Sequence, residues 1–97
     1  MVRPYEALYI VHPDLTDEQI TPITEKYKAV VEGQGGTVES INRWEKRWLA
    51  YEVKGQREGI YVLMNFTGEP SVAAELDRTM KIGEDVMRHL IVRTDEQ

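Results

Sequence analysis

The sequence predicts an α+β fold of the ferredoxin-like kind, a βαββαβ chain whose four-stranded antiparallel sheet carries two helices on one face. Three observations predict it. Two segments with helical spacing of apolar residues alternate with four segments of strand character. That order builds two right-handed βαβ crossovers, which put both helices on the same side of one sheet. The 97 residues leave room for one domain, 1–97, and for no second core.

Each element has a local cause. Tyr5 to Val11 is rich in aromatic and β-branched residues and is closed by His12-Pro13-Asp14, so a strand followed by a turn is expected. Thr16 with Gln19 three residues on resembles a capping box. Ile20, Ile23, Tyr27, Val30 and Val31 then form a helical stripe. Pro22 either sits at the first helical position behind Thr21 or kinks the first turn. Gly33, Gly35 and Gly36 stop this helix. Thr37 to Val53 follows without proline or glycine. Fully extended it would span roughly 56 Å at ~3.3 Å per residue, so it must bend, carry a bulge or project as half of a hairpin. A polar connection, Lys54 to Gly59, leads to a strand at Ile60 to Phe66. Pro70 and Gly83 bracket a second helix with Val72, Ala73, Leu76 and Met80 on one face. Val86 to Arg93 is the last strand, and Thr94 to Gln97 a short acidic tail. In this topology the first and third strands are central. The second and fourth are edges, with backbone groups available to another molecule.

Composition excludes several classes. Hydrophobic content of 41% with 30% charged residues is that of an ordinary globular chain. With no cysteine, disulfides and thiolate chemistry are out. The apolar runs around Ala7–Val11 and Ile60–Met64 are too short to span a membrane, and no secretory signal opens the chain. A cytoplasmic location is the default expectation, although an organelle form whose transit peptide has been removed would look the same. His12 and His89 are too few for a metal site. Gly33 to Gly36 follows a helix and lacks the Gly-Lys-Ser/Thr of a phosphate loop, and Ser40 and Ser71 support no triad. No acidic pair is placed for proton transfer in a cleft. The expectation is a protein that is not an enzyme, with no cofactor and no small-molecule substrate.

The segment from Asn42 to Arg57 departs from the rest. Arg43, Lys46, Arg47, Lys54 and Arg57 face only Glu45 and Glu52 there, so it carries +3 in a chain of net charge −5 and leaves −8 on the remainder. Trp44 and Trp48 sit among those charges. Cations interleaved with planar rings suit a phosphate backbone with nearby bases. On an unbulged strand, Trp44, Lys46 and Trp48 would share one face and Arg43, Arg47, Leu49, Tyr51 and Val53 the other. The bland alternative is that the tryptophans cover the sheet edge and the charges are solvated.

Trp44-Glu45-Lys46-Arg47-Trp48-Leu49-Ala50-Tyr51 followed by Gly59-Ile60-Tyr61-Val62-Leu63-Met64 resembles a signature of the family of the sixth protein of the bacterial small ribosomal subunit. Arg3-Pro4-Tyr5-Glu6, Val11 to Leu15, Glu75 to Arg78 and Val86 to Thr94 are similar to other parts of that family, so the resemblance covers nearly the whole chain. Glu45 stands where the family usually has glycine, and Glu52 where proline is frequent. The first change removes a residue suited to special backbone geometry or close RNA approach. The resemblance implies a structural component of the ribosome that binds the central domain of small-subunit ribosomal RNA together with the eighteenth protein of that subunit. It suggests Arg3, Arg43, Lys46, Arg47, Arg88 and Arg93 for RNA, the first and last two groups on strands expected to be neighbours. Trp44, Trp48, Leu49 and Tyr51 are then expected at the partner-protein interface.

Two other readings share the topology. An RNA-recognition motif domain stacks bases on aromatics of its central strands, but the required positions after Gly59 hold Ile60 and Val62. A small-molecule regulatory or dimerisation domain of ferredoxin-like topology would explain the acidic net charge. It leaves the basic, tryptophan-bearing strand without a role.

Overall fold

A computed structural model describes residues 1–95 and has the order β1 (Arg3–Val11), α1 (Asp17–Gly33), β2 (Thr37–Val53), β3 (Gln56–Gly68), α2 (Pro70–Ile82) and β4 (Arg88–Arg93). Glu96 and Gln97 of the expected acidic tail lie outside the described residues. The sheet order is β2-β3-β1-β4 with every pairing antiparallel, so β2 and β4 are the edges.

Helix α1 starts where the capping box puts it. The Thr16 hydroxyl accepts from the Gln19 N–H at 3.3 Å, and the Gln19 side chain accepts from the Thr16 N–H at 2.9 Å. Pro22 lies inside the helix, on its exposed side. It is not at the first helical position, because Thr16 has already capped the helix six residues earlier. The backbone bond that proline removes is lost where water can reach the orphaned carbonyl. Pro70 opens α2 and Gly83 follows its last residue, as the sequence predicts.

Several boundaries differ from expectation. Strand β3 begins at Gln56 rather than Ile60, and the six-residue connection shrinks to Lys54-Gly55, with φ of 49° and 79°. Two left-handed residues make the tight hairpin turn whose twist matches that of its strands. The polar stretch read as loop is ladder because this part of the hairpin covers no core and so needs no apolar alternation. Strand β4 begins at Arg88 rather than Val86. Val86 and Met87 are buried ahead of it, and the Met87 N–H donates to the Ile10 carbonyl at 2.8 Å.

The core lies between the sheet and the helices. Tyr5, Ala7, Tyr9 and Val11 of β1 alternate inward, as do Ile60, Val62, Met64 and Phe66 of β3, against Ile20, Tyr27, Val31, Val72, Leu76 and Met80. Tyr5 stacks on Phe66 at 5.3 Å, and Tyr9 meets Tyr27 edge-on at 5.5 Å. On β4, His89 faces the helices and holds Asp77 of α2 at 2.7 Å. Bonds from Lys81 and then His89 hold the Asp77 carboxyl below its ordinary range. Among the described residues the buried Tyr9 and Tyr27 hydroxyls have no hydrogen-bond partner, and burial pushes both phenols upward. Deleting an unpartnered hydroxyl removes a desolvation cost and no bond. Tyr9→Phe is therefore expected to keep stability within ~0.5 kcal/mol of the parent or raise it, as urea unfolding would read. A loss above ~1.5 kcal/mol would mean the hydroxyl is satisfied.

Candidate nucleic-acid and partner interface

Strand β2 has 17 residues, while the molecule measures 39 Å along its longest axis. The strand meets this limit by bulging and projecting. Its register against β3 slips between Val38 and Ser40, between Arg43 and Lys46, and between Trp48 and Val53. The second slip matters most for the cluster of charges and rings. Arg43 lies opposite Val62 and Lys46 opposite Ile60, so the β2 stretch is one residue longer than the β3 stretch it faces. Each such extra residue sends the following side chains to the other face.

The face assignment for an unbulged strand therefore fails. Trp44 stacks on Tyr61 of the open face, with centroids 5.9 Å apart, and the Arg47 guanidinium sits over Trp44 at 5.1 Å. Leu49 continues this face above Gly59. Arg43 is turned to the helix side, 3.8 Å from Asp17 of α1. Lys46 and Trp48 share that side through their partners Ile60 and Glu58. One side of β2 thus presents Trp44, Arg47, Leu49 and Tyr51, and the other Arg43, Lys46 and Trp48. Glu45 sits in the bulge and is exposed; Lys54 is the one non-glycine residue with positive φ among those described. The backbone at Glu45 makes no demand that only glycine could meet.

Beyond the end of β1 the paired β2 and β3 form an arm that curls over the open face. Its third slip brings Tyr51 of one sheet edge under Arg88 of the other, guanidinium to ring at 5.0 Å. A pocket of about 250 Å³ lies beneath, lined by Leu8, Ile10, Leu49, Tyr61 and Leu90 together with Tyr51, Arg88 and His89. The close approach of arm and sheet depends on Gly59: a Cβ there would lie 2.3 Å from Ile10 Cγ2. Trp48, at 74% exposure, stands in solvent rather than packed over the sheet edge.

The arginines of the outer strands do not form one patch. Arg88 is opposite Ile10, seven residues along β1 from Arg3, a separation of roughly 23 Å at ~3.3 Å per residue. Arg93 faces the helices and Arg88 the open side, because odd and even residues of β4 alternate. Arg3 and Arg93 instead converge on Asp95, at 3.7 Å and 3.0 Å. Bonding to Arg93 holds the Asp95 carboxyl below its ordinary range.

Sequence reasoning missed the open face itself. Leu8, Tyr61, Leu63, Leu90 and Val92 stand on it, with Leu90 60% exposed. The signal was present in the continuous apolar runs Leu8 to Val11, Ile60 to Met64 and Leu90 to Val92. A sheet with one wet face alternates, whereas strands covered on both faces read as unbroken apolar runs.

The family model of ribosomal protein S6 matches residues 4–93. The small ribosomal subunit protein bS6 of Desulforamulus reducens is 50% identical over 95 residues, covering 98% of this chain and 100% of that protein. Its counterpart in Carboxydothermus hydrogenoformans is 48% identical over 96 residues, 99% of this chain and 100% of that protein. The crystal structure of 30S ribosomal protein S6 from Thermotoga maritima superposes with a TM-score of 0.87 at 26% identity, over 96% of this chain and 88% of that one. A bacterial light-regulated adenylyl cyclase shares the fold alone, with a TM-score of 0.58 at 14% identity.

Proposed function

The chain belongs to the ribosomal protein S6 family, a structural and non-enzymatic constituent of the small ribosomal subunit working in the cytoplasm, and from that premise we propose that it binds the central domain of the small-subunit ribosomal RNA cooperatively with the eighteenth protein of that subunit. One observation carries the reading: the sheet is apolar on its uncovered face while the cations gather on the bulged arm. The open face, with Trp44, Leu49 and Tyr51, is the protein-binding side. Arg43 and Lys46 with Trp48 form the RNA-binding side of the arm, and Arg3 and Arg93 a second RNA contact that exchanges Asp95 for phosphate. Arg47 and Arg88 stand on the protein side, where each already lies on an aromatic ring.

Cooperativity follows from charge. At net −5 the chain has no long-range attraction to a polyanion, and its basic arm acts only within a screening length of roughly 8 Å. A partner on the open face adds cations and fixes the arm. The RNA then meets one composite surface. The small-molecule reading is disfavoured because it leaves the basic, tryptophan-bearing arm without a role.

Titrating central-domain RNA with the chain, with the partner and with the mixture tests this. The expected result is weak binding by the chain alone and a gain of at least about tenfold in the mixture, or ~1.4 kcal/mol. Tight binding by the chain alone, with no gain in the mixture, would refute cooperativity.

A further inference from the structure

The pocket beneath the arm is walled mainly by apolar groups, and it is also lined by the one arginine of β4 that stands on the open face. Arg88 makes no ion pair among the described residues; its guanidinium rests on the Tyr51 ring. We propose that this pocket is an anchor socket for a protein partner, taking one large apolar side chain whose neighbouring carboxylate draws Arg88 away from Tyr51. The inference rests on the reading of the open face as a protein-binding side and names the chemistry of what docks there.

Three features select this occupant. The volume, about 250 Å³, suits a single buried side chain of the kind that anchors interfaces. The lining offers Leu8, Ile10, Leu49 and Leu90 and is more apolar than polar. A nucleobase would bury much of its hydrogen-bonding edge against those leucine and isoleucine side chains, whereas an apolar side chain loses nothing there. Finally, the ring of Tyr51 is a poor exchange for a carboxylate. Guanidinium and carboxylate match through two parallel bonds, so an acidic group beside the anchor is the complement of Arg88. The exposed Tyr51–Arg88 contact is the latch that the docking segment replaces.

The test measures pairing of the full chain with the partner protein of the proposed function, for the parent, Ala50→Trp and Arg88→Gln. Ala50 lines the socket and is exposed, so a tryptophan there fills the socket from the arm side. Both variants are expected to weaken pairing at least about tenfold, the scale of one interface anchor. If the parent pairs and both variants pair equally well, the socket is refuted and the functional reading stands. If the parent does not pair, both fall. A measurement on the unsubstituted chain guards against misfolding: methyl resonances of Leu8, Ile10 and Leu90 are expected to shift on adding the partner. Shifts that appear with RNA alone would make the pocket a base site, and shifts that appear with chain concentration alone would make it a self-interface. Either outcome overturns the proposal.

Discussion

Trp44→Ala is expected to weaken the proposed pairing with the eighteenth protein by about 2 kcal/mol or more, the cost of a central aromatic anchor, while Trp48→Ala leaves that pairing within about threefold, or ~0.7 kcal/mol. Trp48→Ala is expected to act on the RNA complex instead, by ~1–3 kcal/mol if the ring stacks on one base. The two tryptophans are four residues apart and in an unbroken strand would act together. The bulge separates them. Trp44 is stacked on Tyr61 and held under Arg47, so its face is set before a partner arrives and little freedom is lost on docking. Trp48 stands out on the side of Arg43 and Lys46, where a ring beside cations suits a base beside its phosphate. Protein and RNA affinities of the two variants, measured separately, decide the matter. Equal losses in both assays would mean that the bulge does not divide the arm by partner.

Gly59→Ala is expected to destabilise the chain by about 1–3 kcal/mol, the usual cost of overpacking. In a domain of this size each kcal/mol lowers the thermal midpoint by roughly 4–8 °C. The new methyl would lie 2.3 Å from Ile10 Cγ2 and 3.5 Å from the Val11 carbonyl. Ile10 cannot yield cheaply, because its Cγ2 is one bond from a backbone-fixed Cβ and rotation at a branched χ1 is restricted. Relief would come from lifting the arm, which opens the pocket and parts Tyr51 from Arg88. Gly33→Ala is the internal control: nothing lies within 4 Å of a Cβ there, and alanine is the better helix former. Its midpoint is expected to stay or rise. A Gly59→Ala protein as stable as the parent would show that the arm is not held by this contact.

The order of elements was legible in the sequence because each rests on local chemistry. Thr16 and Gln19 start α1 through bonds three residues apart, Pro70 and Gly83 bracket α2, and the inward alternation of β1 needs only its own side chains. Family membership was legible too, since Trp44 to Tyr51 and Gly59 to Met64 stand in order at the expected spacing. The charge contrast between the arm and the remaining chain required no coordinates at all.

Three things were decided only by tertiary structure, each by a non-local constraint. The bulge between Arg43 and Lys46 is a property of a strand pair, and no single-strand pattern states how many residues oppose two on the partner. It alone assigns Trp44 and Arg47 to one side and Arg43 with Trp48 to the other. The wide separation of Arg3 from Arg88 follows from antiparallel register, which brings the two strands together and puts these residues at opposite ends. The curl that joins Tyr51 to Arg88 across the sheet depends on a missing Cβ at Gly59 meeting Ile10, residues far apart in the chain. Sequence determined which chemistry is present and in which elements, because caps, periodicity and charge are local. The tertiary fold decided which face each group serves, because register and curl are settled only when strands meet.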